Sequence, residues 1–362
     1  PQPQPSRPAS TPRKKNCNEL RSAILWRRWT NIRAWIAQVT GEANHPGPTS
    51  APNKKHVNDL QIGFLNAHGL GDARFRKYLL AQYRRRYHIL AIAESWCPGP
   101  EEEKEWGRDW KGSGGVFWAS GPAKTPENPH GYKGRGIGIF FSRELESEVK
   151  KHKPIIRDPG GRYLIVQLQI HGRVSVIIAA HADNNTDDEQ AAFFERLRKA
   201  LPAFCPNTDY HLLLDANNAP DWQLDCHFDS SRNPPQQNRT IGLAALQRIT
   251  DTYRIRDNFR LLHPASKKFT YIHHGPNNTT TKKRLDRVYS SVAMHRRAAV
   301  PQIVHTAHQW PNQTDLTAIR ASGSKSKWSD HATVEYTIQY TTPTETPPRR
   351  WTMPLHVLHE IK

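Results

Sequence analysis

Trp328-Ser-Asp-His-Ala-Thr-Val-Glu-Tyr336 (WSDHATVEY) sets a polar triplet, Ser329-Asp330-His331, directly ahead of a late strand read over Ala332–Tyr340 (ATVEYTIQY). An acid and an imidazole at a strand end are the side chains that metal-assisted and acid–base chemistry draws on. The same juxtaposition recurs upstream. Asn66 follows the apolar run Leu60–Leu65 (LQIGFL), and Glu94 follows His88–Ala93 (HILAIA). His181 follows Val174–Ala180 (VSVIIAA), Asp215 and Asn217 follow His211–Leu214 (HLLL), and Asp286 lies in the segment KRLDRVY.

Between these runs the pattern alternates. Gly136–Phe141 (GIGIFF) and Tyr163–Ile170 (YLIVQLQI) read as further strands, and Ala73–Arg86 and Asp187–Leu201 read as helices. Thr186-Asp-Asp-Glu189 fits a capping box ahead of the second helix. Alternating strands and helices over 58–340 give the α/β class, in which ligand crevices gather at strand ends. Taken singly, each such polar residue is more often a turn or cap residue. Together they supply carboxylates for Mg²⁺, amides to hold oxygens, and a His as base or clamp, the parts of a metal-assisted phosphodiester hydrolase.

In this order, the segments resemble the endonuclease/exonuclease/phosphatase superfamily, which includes DNase I, abasic-site endonucleases and the endonucleases of LINE-type (non-LTR) retrotransposons. Ser329-Asp330-His331, preceded by Arg284-Leu285-Asp286, is the strongest match. Leu214-Asp-Ala-Asn217 is similar to the family's Gly-Asp-x-Asn, with Leu where Gly is usual. The resemblance implies a two-sheet α/β sandwich of the DNase I-like type and a Mg²⁺-dependent endonuclease, with Mn²⁺ as the alternative ion. It implies that Glu94, Asn66 and Asp330 serve the metal. His331 contacts the scissile phosphate or acts as base, with Asp286 accepting its other ring N–H. Asp215 orients the attacking water, Asn217 holds a phosphate oxygen, and His181 completes the catalytic set.

Two positions depart from the pattern. His68 stands where the family often has a second acid, so the resemblance carries no second acidic ligand over to that position. His181 stands where the abasic-site and retrotransposon branches carry Tyr and the DNase I branch carries His. The flanks favour the retrotransposon branch. Asp251-Thr-Tyr-Arg254, His263-Pro264 and Phe269-Thr270 are similar to the segment those endonucleases carry before Arg-x-Asp, and Arg350–Leu358 resembles their linker to a reverse transcriptase. The resemblance therefore implies nicking of target DNA for retrotransposition, a nuclear location, and a reverse transcriptase region of the same polyprotein as partner. Alternatives are an abasic-site repair or DNase I-like nuclease, and a catalytically inactive nucleic-acid-binding remnant.

Charge agrees with a nucleic-acid partner. The chain of 362 residues has 52 Lys and Arg against 33 Asp and Glu, a net +19; plain solubility is the competing explanation. Arg84, Arg85, Lys282, Lys283, Arg284 and Arg287 are the candidates for phosphate contacts. Trp106, Trp110 and Trp118 are expected to pack in the core rather than stack on bases. Residues 1–57 read as a basic, partly disordered extension with one amphipathic helix near 18–40, a candidate RNA contact. Residues 341–362 read as a Pro-rich linker. The opening on Pro1 rather than Met is the expectation for a fragment or processed product. Four scattered cysteines without a CxxC pair fit a reducing compartment, and no apolar run approaches the roughly 20 residues of a membrane span, so no membrane partner is expected.

Overall fold

A computed structural model describes residues 59–110, 115–123, 125–126, 131–145, 155–228, 240–275, 279–296, 299, 301–311, 317 and 329–340. The helix expected near 18–40 and the linker read over 341–362 lie outside the described residues. In chain order the main elements are β1 (Asp59–Asn66), α1 (Ala73–Arg86), β2 (Ile89–Ala93), α2 (Pro100–Asp109), β3 (Gly115–Ala119), β4 (Ile137–Phe141), β5 (Ile155–Arg157), β6 (Tyr163–Ile170) and β7 (Arg173–His181). There follow α3 (Asp187–Ala200), β8 (Thr208–Asp215), α4 (Trp222–Asp225), β9 (Cys226–Phe228), α5 (Thr240–Thr252), β10 (Ile255–Asp257) and α6 (Asn258–Leu262). The chain continues through β11 (Tyr271–His274), β12 (Thr280–Lys283), β13 (Asp286–Ser291), β14 (Gln302–Gln309) and β15 (Thr333–Gln339).

The strands form two six-stranded mixed sheets, ordered β14-β15-β1-β2-β4-β3 and β10-β13-β8-β7-β6-β5, and a small sheet β11-β12-β9. Alternation along each strand aims one set of side chains inward. Phe64, Ala91, Ile139 and Tyr336 of the first sheet thus share a core with Val166, Ile177, Leu213 and Val288 of the second. The outer faces are covered by helices: Phe75, Leu79 and Leu80 of α1 on the first sheet, and Phe193, Leu197, Leu246 and Ile249 of α3 and α5 on the second. This is the two-sheet α/β sandwich that the resemblance implied, within the α/β class that the strand–helix alternation gave. Trp106, Trp110 and Trp118 are all buried, and the Trp110 indole donates to Phe141 O at 2.8 Å. The Thr186–Glu189 capping box forms at the start of α3, satisfying backbone donors the helix cannot use itself.

Register decides where the polar strand ends go. Parallel pairing of β1 with β2 sets Asn66 beside Ala93, so Glu94 emerges next to Asn66. Antiparallel β15 pairs Val334 with Phe64, which brings the residues just before it to the same end. In the second sheet, parallel β7 and β8 pair His181 with Asp215, and antiparallel β13 pairs Asp286 with Asp215. Asp286 therefore starts its strand, yet reaches the edge where its neighbours finish theirs.

Candidate active site

Asn66 joins the two sheets. Its amide nitrogen donates to Glu94 Oε1 at 3.0 Å and to Asp215 Oδ2 at 2.8 Å, while its oxygen accepts from the His68 amide at 3.1 Å. Glu94 occupies the left-handed region, with φ of 48°, as do His68, Trp96 and Asn217 nearby. Four such non-glycine conformations at one place indicate backbone strain held by the surrounding fold. Burial pushes the Glu94 carboxyl up, but His181, the Asn66 amide, His68 and the Trp96 indole more than offset it and leave it below its ordinary value. Burial and the nearby Asp286 carboxylate push Asp215 up, against His331, His181 and Asn66.

Next to Asp215 stands the imidazole–carboxylate pair. His331 Nδ1 lies 2.7 Å from Asp286 Oδ2, both groups being buried. Burial opposes charge on His331, yet Asp286, its hydrogen bond, Asp215 and Asp330 outweigh it and raise the imidazole to about 10. The upward direction favours the imidazolium, a form suited to clamping an anionic oxygen rather than accepting a proton. Ser329 holds it in place: its hydroxyl donates to Asn66 O at 2.6 Å and accepts from the His331 amide at 3.1 Å.

His181 is the second ring. Its Nε2 lies 3.2 Å from Glu94 Oε1 and 3.8 Å from Asp215 Oδ2, and burial, the largest influence, lowers its pKa. Asn217 links the loop after β8 to β7: its amide N–H donates to Asp215 Oδ1 at 3.0 Å and its side-chain nitrogen to Ala182 O at 2.9 Å.

Asn66, Glu94, His181, Asp215, Asn217, Asp286 and His331 are thus brought together. Glu94, His181 and Asp215 form one group, and Asp215, Asp286 and His331 another, with one potential ligand atom from each residue within 4.8 Å of the others. Asp330 belongs to neither group; its Oδ1 lies 3.9 Å from His331 Nε2. The donor set fits a divalent cation. Carboxylate oxygens converge, and Asp286 Oδ1 and Asp330 Oδ1 are buried acceptors without a hydrogen-bond partner.

Two of the six basic candidates, Arg284 and Arg287, are corrected. Arg284 and Arg287 do not face solvent: each is 1% exposed. Arg284 pairs with Asp225 and Asp257, both at 2.7 Å, and Arg287 donates to Asn218 Oδ1 at 2.9 Å and to Arg284 O at 3.1 Å. Most of their donors brace the loop before β13, Arg287 Nε being buried without a hydrogen-bond partner, and burial keeps both guanidiniums from a backbone phosphate at the surface. Arg84 and Arg85 end α1, which runs back from the site so that β2 can lie parallel to β1. A helix of 14 residues spans about 21 Å, which puts that pair at the opposite edge. Lys282 and Lys283, half-buried on β12, lie in the small sheet whose Tyr271 packs 4.9 Å from the His331 ring.

Sequence reasoning did not assign roles to Thr270 and Arg162. The Thr270 hydroxyl accepts from the Leu285 and Asp286 amides at 3.0 Å each, and its carbonyl accepts from Ala332 N at 2.7 Å. Its place in the Phe269-Thr270 resemblance was the available signal. Arg162 gave none, because nothing in a Gly-Gly-Arg turn tells that the guanidinium will reach His181.

No family model matches the sequence, and no curated protein matches it. Among solved structures, the chain is similar to D. rerio TDP2 complexed with single strand DNA product, at 16% identity and a TM-score of 0.49, covering 78% of this chain and 99% of that one. A humanized D. rerio TDP2 is similar at 14% identity and a TM-score of 0.48, with 78% and 99% covered. A truncated Caenorhabditis elegans TDP2 is similar at 15% identity and a TM-score of 0.48, with 78% and 98% covered.

Proposed function

We propose that the chain is a divalent-metal-dependent phosphodiesterase that nicks DNA, the endonuclease of a LINE-type retrotransposon. The observation that carries the hydrolase reading is the 2.7 Å His331–Asp286 pair beside an Asn66-bridged Glu94 and Asp215, with ligand atoms of Asp215, Asp286 and His331 within 4.8 Å of one another. The retrotransposon branch, the nuclear location and the reverse transcriptase partner rest on the flanking motifs, and an RNA contact rests on the basic segment 1–57.

Glu94 and Asn66, with Asp215 adjacent, would hold the ion, Mg²⁺ by preference for oxygen donors and Mn²⁺ as substitute. When bound, it supplies Lewis acidity that offsets the negative charge developing on phosphate oxygens. The His331 imidazolium clamps a non-bridging oxygen, and Asp286 fixes the ring's orientation. Asp215, whose proton affinity burial has raised, orients the attacking water and draws its proton. His181 donates toward the leaving oxygen. Lys282 and Lys283 are the remaining candidates near the site for backbone phosphates.

Supercoiled plasmid incubated with the full chain and Mg²⁺ should convert to open circles, whose nicks a DNA polymerase extends without prior end treatment. Absence of nicking with both Mg²⁺ and Mn²⁺, while DNA is still bound, would favour the inactive remnant.

A further inference from the structure

Arg162 lies immediately before β6, and its carbonyl accepts the His181 amide at 2.8 Å. Its side chain then meets the same histidine: Nη1 lies 3.0 Å from His181 Nδ1. A guanidinium has only donors, so Nδ1 must present a lone pair, and the hydrogen of a neutral ring must sit on Nε2. Arg162 is itself held by Asp183, Nη2 to Oδ1 at 3.0 Å. His181 Nε2 is buried without a hydrogen-bond partner, between Glu94 and Asp215.

By composition, Glu94, His181 and Asp215 make a three-ligand set of the kind that takes Zn²⁺. Ligation through Nε2 needs the lone pair on Nε2 and the hydrogen on Nδ1. That hydrogen would point into the Arg162 N–H, donor against donor. We propose that Arg162 is a positioning residue that locks His181 as an Nε2–H donor and withholds it from metal ligation. Of the Glu94–His181–Asp215 group, only carboxylate oxygens are then left for a cation, which favours a hard ion over Zn²⁺ there. The use of the donor toward a leaving oxygen rests on the phosphodiesterase reading; the lock itself does not.

The test uses the full chain with ¹⁵N-labelled histidine, free of metal and DNA, and a long-range ¹H–¹⁵N spectrum in which His181→Gln assigns the ring. His181 should show the Nε2–H tautomer, retained in Arg162→Lys and lost in part in Arg162→Met. Titration with Zn²⁺ alone should show binding at least about tenfold tighter in Arg162→Met, a gain that His181→Gln in the same chain removes. A ring protonated at Nδ1 in the parent chain overturns the lock. So does unchanged Zn²⁺ affinity in an Arg162→Met chain that melts as the parent does. Should Arg162→Met not fold, the parent and Arg162→Lys tautomers decide. A chain that shows the lock but never nicks DNA keeps this inference and removes the nuclease reading.

Discussion

At the scale of single residues, the site separates charge from geometry. Glu94 is held below its ordinary value and so offers a carboxylate, while Asn66 holds it by one oxygen. Glu94→Gln keeps the shape and removes the charge. Mg²⁺-dependent nicking should fall at least about 100-fold, with DNA affinity by gel shift unchanged, because a neutral amide is a poor Mg²⁺ ligand. Nicking at the parent rate would remove Glu94 from the metal site. Asp286 works through His331, whose charged form it stabilises at 2.7 Å. Asp286→Asn and His331→Ala should each cost about 10³-fold in single-turnover rate, and the double variant little more than the worse single one. Multiplying losses would show two independent residues.

At the scale of elements, the site depends on how the loop before β13 is pinned. Thr270 accepts two backbone amides there, those of Leu285 and Asp286. Thr270→Val keeps the volume but leaves both buried donors unpaired. Urea unfolding should show a loss of about 1–3 kcal/mol, and kcat should fall more than KM changes, since Asp286 loses its anchor. Equal changes in kcat and KM, with stability unaltered, would count against that positioning role. The same loop carries Arg284 and Arg287 inward. Asp225 accepts from Arg284 and pairs with Arg260. Burial pushes Asp225 up, but Arg284, Arg287 and Arg260 outweigh it and lower it from 3.8 to about 2. A depressed carboxylate stabilises the fold fully above its unfolded value near 4 and loses that contribution as pH falls through about 2. The loss should amount to about 2 kcal/mol between pH 5 and pH 2 by urea unfolding, and Asp225→Asn should lack that component.

At the scale of the whole molecule, the two sheets are tied through a buried histidine. His211 on β8 has Nδ1 3.0 Å from the Tyr336 hydroxyl of β15 and 3.2 Å from Ser290 Oγ. Burial, the dominant influence, lowers its pKa from 6.5 to about 4. The unfolded chain therefore takes up a proton below about 6.5 that the folded chain refuses until about 4. Stability should drop across that window by about 3 kcal/mol, the drop being complete near pH 4. His211→Phe should flatten the pH dependence of the urea midpoint there, whatever it does to stability at pH 7; an unchanged slope would show that His211 is not the group responsible.

The strand ends were legible in the sequence because their signal is local. A short apolar run that stops at Asn66, Glu94, His181 or Asp215 reports its own burial and its own exit from the core, and side-chain alternation needs no knowledge of the partner strand. The motif order carried the fold class and the candidate chemistry together. Tertiary structure alone decided which ends meet and which charges stay in water. Asn66 and Asp215 are 149 residues apart, and only the stacking of one sheet on the other brings them to 2.8 Å. Arg284 and Arg287 look in sequence like any basic cluster. Partners 59 and 27 residues away for Arg284, and Asn218 69 residues away for Arg287, turn them into buried struts. Arg84 and Arg85 end up at the far edge because a parallel crossover must run its helix back. Arg162 could not be placed at all. A side chain's desolvation and its hydrogen-bond partner are properties of the space the packed chain leaves around it, and local spacing does not encode that space.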